Sequence, residues 1–318
     1  MARLSYASIW IIVLTAVLVA ACGESRDEPK SELRTIDVET DDGPRSYQLY
    51  EPFGLDGGAA PLVVVLHGHG GSADQVLAQN GRTPSSRWLE IADEYGFAVA
   101  VPDGMVGNDG DQGWNDCRIS DTNPDSDDVA FLEKLVEDAG ERIPISSDAV
   151  FFTGLSNGGH MALRMAIERP ELVSGIAAIA ASLAVDSKCD DATQPTAVMV
   201  INGTDDPILP YRGGEMGFQR GRVLPTTEMM QLLAELGGQT TSTERVIPDT
   251  DEGDDSTVLE ERFESDPPVV LLTVQGGGHT EPSATQRHRR AWIALVGPQN
   301  GDIETVDVVW RFFQELLD

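Results

Sequence analysis

Ala149-Val150-Phe151-Phe152-Thr153 is a short apolar run of β-branched and aromatic residues. It passes through Gly154-Leu155-Ser156-Asn157-Gly158 into a stretch with helical spacing, Met161, Leu163, Met165, Ala166 and Ile167, closed by Pro170. A strand that becomes a helix within five residues crowds the backbone at the turn, and flanking glycines keep Cβ atoms out of it. This junction commits the chain to an α/β layering, in which a strand feeds a helix that packs back on the sheet. A Gly/Ser connection with no chemistry would satisfy the same spacing, so the other segments have to separate the two readings.

With its flanks, Gly154–Gly158 resembles the G-x-S-x-G nucleophile elbow of α/β-hydrolases, where the turn presents a serine hydroxyl above the sheet. A serine hydroxyl is a poor nucleophile until a base takes its proton and an acid orients that base. The resemblance implies the chain order serine, acid, histidine. Two histidines follow Ser156. His279 comes after the apolar run Val269–Val274 through Gly276-Gly277-Gly278, a loop able to lay an imidazole over the elbow. His288 sits in Gln286-Arg287-His288-Arg289-Arg290, where neighbouring arginines disfavour protonation and exposure is expected. His279 is the better base. For the acid, the apolar run Thr196–Ile201 leads into Asn202-Gly203-Thr204-Asp205-Asp206-Pro207. Adjacent carboxylates on extended backbone point to opposite sides, and Pro207 holds Asp206 extended. Asp206 is the choice, with Asp205 as the fallback; the other aspartate is a solvated turn residue.

An oxyanion hole needs backbone N–H donors, one after the nucleophile and one from the loop after an earlier strand. Asn157 supplies the first. The strand Pro61–Leu66 is followed by His67-Gly68-His69-Gly70-Gly71-Ser72, and the His69 amide is the candidate for the second. His67 and His69 lack a third ligand motif at metal spacing, so they are expected to be structural, and neither a metal nor a cofactor is implied.

Six segments, in order, resemble the polyhydroxybutyrate depolymerase and feruloyl esterase-like group of α/β-hydrolases, specifically its exported lipoprotein members. They are Leu66–Ser72, Gly113-Trp114-Asn115-Asp116-Cys117, Asp127–Leu132, Thr153–Gly159, Asn202–Tyr211 and Gly276–Thr280. The resemblance implies that Ser156, Asp206 and His279 are nucleophile, acid and base of a serine esterase. One departure concerns the substrate: Glu281-Pro282-Ser283 stand where the family has tryptophan, proline and glycine, so Glu281 is a candidate pocket residue. Trp114 is a second, either as an aromatic wall of the acyl pocket or as a core residue beneath a cysteine-tethered loop.

Residues 1–21 read as a lipoprotein signal peptide: Arg3, an apolar core from Ile9 to Ala20, and Val19-Ala20-Ala21-Cys22 as the cleavage box, with Cys22 lipidated. Residues 22–34 read as an acidic tether and 35–318 as a single catalytic domain with an α/β-hydrolase fold, a mostly parallel sheet with helices on both faces. The expected place is the cell envelope, with the membrane met through the lipid anchor alone and the protein a monomer. Cys117 and Cys189 remain as an even pair, expected as a disulfide worth roughly 4 kcal/mol, with free buried thiols the alternative.

The net charge is −31, from 22 Lys+Arg against 53 Asp+Glu, which argues against nucleic acid as a partner and for salt-screened self-repulsion. The acidic runs 121–127 and 249–255 lack the glycine at the sixth place and the glutamate at the twelfth of a calcium loop and read as solvated. His160 reads as a packed helix residue. Two rivals share the features so far: a catalytically silent lipoprotein binding polymer or glycan, and a peptidase of the same fold.

Overall fold

The computed structural model describes residues 31–55, 58–78 and 83–317. Residues 1–30, on which the expected signal peptide, the lipidation of Cys22 and most of the expected tether fall, lie outside the described residues. Ten strands form one sheet: β1 (Glu32–Thr40), β2 (Gly43–Glu51), β3 (Ala60–Leu66), β4 (Ala98–Pro102), β5 (Ile145–Leu155), β6 (Gly175–Ile179), β7 (Val198–Gly203), β8 (Ser242–Val246), β9 (Thr257–Phe263) and β10 (Val269–Gln275). Their order is β1-β2-β4-β3-β5-β6-β7-β10-β9-β8. The central block from β4 to β10 is parallel throughout. Antiparallel strands close both edges. This is an α/β-hydrolase fold.

Seven helices accompany the sheet: α1 (Ala73–Val76), α2 (Trp88–Tyr95), α3 (Asp128–Arg142), α4 (Asn157–Glu168), α5 (Thr226–Leu236), α6 (Arg290–Val296) and α7 (Thr305–Gln314). Because strand side chains alternate, Leu62, Val64 and Leu66 of β3 enter one core with α3, α4 and α5, while Val63 and Val65 enter the other with α2 and α7. Strands buried on both faces read as continuous apolar runs, which is why the central ones are visible in the sequence. No helix among the described residues is long and apolar enough to cross a membrane.

The domain begins earlier than residue 35. Glu32, Leu33 and Arg34 are already in β1, paired with Glu51, Tyr50 and Leu49, so the last three residues assigned to the tether belong to the sheet. Their charge fits an edge strand with a wet face, where Arg34 bonds Glu51 at 2.7 Å. Cys117 and Cys189 are joined by a disulfide. The acidic runs are not simply solvated: Asp127 caps α3 through the Ala130 amide, and Asp254 accepts from the Ser256 and Gly301 amides.

Candidate active site

The turn between β5 and α4 places Ser156 at φ 56°, ψ −120°, a region L residues enter at a cost of about 1–3 kcal/mol. The neighbourhood holds it there. The Ser156 amide donates to Ile179 O at 2.7 Å, and His160 N–H donates back to Ser156 O at 2.9 Å. A Cβ at Gly158 would sit 2.3 Å from Leu66 O, and one at Gly154 would sit 2.6 Å from the Gly158 carbonyl carbon. The glycines are therefore what lets β3, β5 and α4 meet at the elbow. His160 Nδ1–H donates to Ser156 O at 2.8 Å, and burial pushes its pKa down to about 3. It is a neutral, packed helix residue.

Asp206 and His279 arrive from the C-terminal ends of β7 and β10. Asp206 Oδ2 accepts from His279 Nδ1 at 2.7 Å. Its other oxygen, Oδ1, accepts from the Ile208 and Leu209 amides at 2.7 and 2.8 Å, so both oxygens are engaged. Asp205 turns to the surface and bonds Thr204 instead. With Nδ1–H given to Asp206, a neutral His279 ring keeps Nε2 free to take a proton. Ser156 and His279 line the same cavity. The Ser156 hydroxyl has no hydrogen-bond partner among the described residues, as is common for such pairs without substrate.

The amides of His69 and Asn157 donate to nothing among the described residues, which leaves both available to an oxyanion. Each sits on a rigid support. His67 Nε2 accepts from the Gly104 amide at 2.9 Å, while its Nδ1–H reaches Gly68 O at 2.8 Å. The Asn157 side chain is clamped by Trp114 N–H at 2.6 Å, Trp114 O at 3.0 Å and Asp116 Oδ2 at 2.7 Å. Asp116 is fully buried, and despite the desolvation that opposes it, its ion pair with Arg118 at 2.6 Å holds its pKa down at about 2.

Of the two places open to Trp114, the structure gives the core and rules out the pocket wall. The indole does not line the cavity: it is fully buried, lies tilted at 40° with its centroid 5.0 Å from that of the His67 ring, and donates Nε1–H to His67 O at 2.8 Å. Its place is in the core beneath the His67–Ser72 loop. Asp116, in the same Gly113–Cys117 segment, fixes Asn157 together with the Trp114 backbone, a role the sequence reading did not assign it. A charged residue amid glycine, tryptophan and cysteine was the signal for it.

The cavity has a volume of about 680 Å³, and Ile208, Phe218, Trp292 and Leu295 give it a largely apolar wall. Glu281 lies on it, with Oε1 accepting from Ser85 Oγ at 2.5 Å, and burial pushes its carboxyl up to about 7. Arg220 and His288 line it too, although nothing in the sequence placed them there. His288 is half-buried rather than exposed, and burial together with Arg287 keeps its pKa low. The loop after β4 brings Asp109 to 2.8 Å and Asp111 to 3.8 Å from His69 Nε2. Those three side chains could converge on a cation, a grouping the sequence spacing did not reveal.

Residues 56–229 match the model of a family described as Phospholipase/Carboxylesterase. A Nocardia uniformis subsp. tsuyamanensis protein named as an esterase, NocK, is 31% identical over 84% of this chain and 78% of its own length. The probable feruloyl esterase C of Aspergillus terreus is 29% identical over 64% of this chain and 70% of its own length. Among solved structures, an acetyl xylan esterase from Aspergillus awamori superposes with a TM-score of 0.54 at 16% identity, covering 78% of this chain and 94% of that one, a likeness of fold.

Proposed function

This chain belongs to the phospholipase/carboxylesterase family of α/β-hydrolases and acts on carboxylic ester bonds, and we propose that it does so through an acyl-enzyme formed on Ser156. The observation that carries the reading is the Asp206 Oδ2 to His279 Nδ1 contact of 2.7 Å, made on the cavity that also holds the strained elbow serine. As substrate enters, His279 Nε2 takes the Ser156 Oγ proton while Oγ bonds to the ester carbonyl carbon. The carbonyl oxygen becomes an oxyanion, received by the His69 and Asn157 amides. Each such donor is worth roughly 3 kcal/mol of barrier lowering. Asp206 fixes the ring and stabilises the imidazolium. The tetrahedral adduct collapses, the C–O bond to the alcohol breaks, and His279 returns the proton to the leaving alkoxide. A water then gives its proton to His279 and attacks the acyl carbon, and Ser156 leaves with the proton restored.

The apolar wall formed by Ile208, Phe218, Trp292 and Leu295 supports esters with an apolar or aromatic portion. Within that range the proposed substrates are hydroxyalkanoate polyester or its oligomers, and feruloyl or acetyl esters of polysaccharides, the latter in keeping with the names of the relatives. The sequence through Val19-Ala20-Ala21-Cys22 supports an exported, lipid-anchored protein working at the cell envelope. The test is turnover by the folded mature protein of a short-acyl p-nitrophenyl ester, a hydroxybutyrate oligomer and methyl ferulate, against peptide anilides. Ester turnover without anilide turnover is expected. Anilide turnover alone would make it a peptidase, and no turnover at any salt would make it a binding protein.

A further inference from the structure

Phe218 and Arg220 border the cavity on a short connection that runs from Met216 to Arg222. Its backbone is strained at two successive positions: Phe218 and Gln219 hold φ of 60° and 57° without being glycine. Side-chain-bearing residues persist there when surrounding structure holds them, and such strain gathers at ligand clamps. Here the holding groups are visible. The Met216 amide donates to Gly221 O and the Gly217 amide to Ile208 O, each at 2.8 Å. Arg118 Nη1 donates to Arg220 O at 3.1 Å. Arg118 is itself the ion-pair partner of Asp116, whose Oδ2 also accepts from Asn157 Nδ2. A continuous polar chain therefore ties the backbone of Arg220 to the residue beside Ser156.

The guanidinium at the end of this support is unspent. Arg220 makes no ion pair among the described residues, in a chain that carries 53 acidic groups against 22 basic ones. Its Nε is buried without a hydrogen-bond partner, the kind of orphaned donor that native proteins rarely leave. Its other neighbour is the Phe218 ring, 5.5 Å from the guanidinium carbon. Asp109 and Asp111 act on it from beyond ion-pair distance, and Asp109 is already bonded to His69. Burial, with Arg118 nearby, holds the Arg220 pKa below its ordinary value, so a bound anion would relieve the site. Arg289, exposed on the same cavity and also without an ion pair among the described residues, adds positive potential.

We propose that Arg220 receives a free carboxylate of the substrate, so that the preferred ester carries a negative charge on its acid or alcohol part, as an acid-terminated oligoester does. Guanidinium offers a planar fork of donors that matches a carboxylate, and such a pair is strong where water is partly excluded. The inference rests on the esterase reading of the cavity for calling the ligand an ester, while the anion site itself stands on Arg220 alone.

Binding separates the two. Ser156→Ala protein is titrated calorimetrically with 4-acetoxybenzoate and its methyl ester, which place the charge on the alcohol part, and with monoethyl glutarate and diethyl glutarate, which place it on the acid part. In at least one pair the acid should bind about tenfold tighter than the neutral ester, a charge-assisted contact's usual margin. Adding Arg220→Gln should bring that ratio close to one, and Arg220→Lys, which keeps the charge and loses the fork, should fall between. Equal affinities within both pairs, no binding of either acid, or a preference that survives Arg220→Gln would overturn the proposal. Turnover of methyl 4-acetoxybenzoate by the wild-type protein is read separately. If it fails while the anion preference holds, the esterase mechanism falls and the carboxylate site stands.

Discussion

Asp206 reaches His279 Nδ1 with one carboxylate oxygen at 2.7 Å and anchors the other on the Ile208 and Leu209 amides. The carboxylate thus has one orientation, set by backbone, and the imidazole inherits it. Asp205, next in the chain, has no part in this arrangement and bonds Thr204.

That asymmetry gives the first prediction. Asp206→Asn should lower kcat on a p-nitrophenyl ester by about 10⁴-fold, because an amide no longer selects the tautomer that frees Nε2. Asp205→Asn should stay within a few fold of wild type. Steady-state kinetics on the two variants checks it, and equal losses would contradict it.

Asp116 is predicted to be structural and catalytic at once. Asp116→Asn leaves Arg118 buried without its counter-charge and loosens the clamp on Asn157. The loss of stability should be about 3–5 kcal/mol, measured by urea unfolding. In protein that remains folded, kcat should fall more than KM rises, since the role proposed for the Asn157 amide is in the transition state.

Glu281 makes stability depend on pH. Its carboxyl is protonated up to about 7 in the folded protein because burial disfavours the charge, whereas an unfolded glutamate ionises near 4.3. The folded state therefore binds the extra proton between those values. The favourable contribution is complete below the unfolded value and is lost as pH rises through about 7. Glu281→Gln, which stays neutral, should gain stability relative to wild type at pH 8, by at most about 4 kcal/mol, and show no such gain at pH 4. Urea midpoints at both pH values test this; the same difference at both would contradict it.

With a net charge of −31, self-repulsion is predicted to be screened by salt. The melting temperature should rise by several degrees between dilute buffer and molar sodium chloride. A melting temperature indifferent to salt would refute this.

How much could be read from the chain alone follows from burial. β3, β4, β6, β7, β10 and the second half of β5 are covered on both faces and announce themselves as largely apolar runs. β1 and β9 are each partly open to water, and β8 is open on both faces. Segments such as Glu244-Arg245 and Glu260-Glu261-Arg262 therefore hide strand character behind charge, and the start of the domain was placed three residues late. The elbow and the Asp206–His279 pairing were legible because each follows an apolar strand at a loop of small residues. The place of Trp114 was not legible because an aromatic residue in a Gly-, Asp- and Asn-rich segment suits a pocket wall and a core equally; contact with His67 decides it. Arg220 and Phe218 gave no signal: they reach the cavity through a strained connection whose conformation no local pattern encodes.

The central claim is that Ser156 is the nucleophile. Its most direct test is labelling of the mature protein with a fluorophosphonate, followed by peptide mapping of the adduct, beside Ser156→Ala. The account predicts a single adduct on the peptide containing Ser156, absent from the variant, with ester turnover lost in parallel. An adduct on another residue, or unimpaired turnover by folded Ser156→Ala, would contradict it.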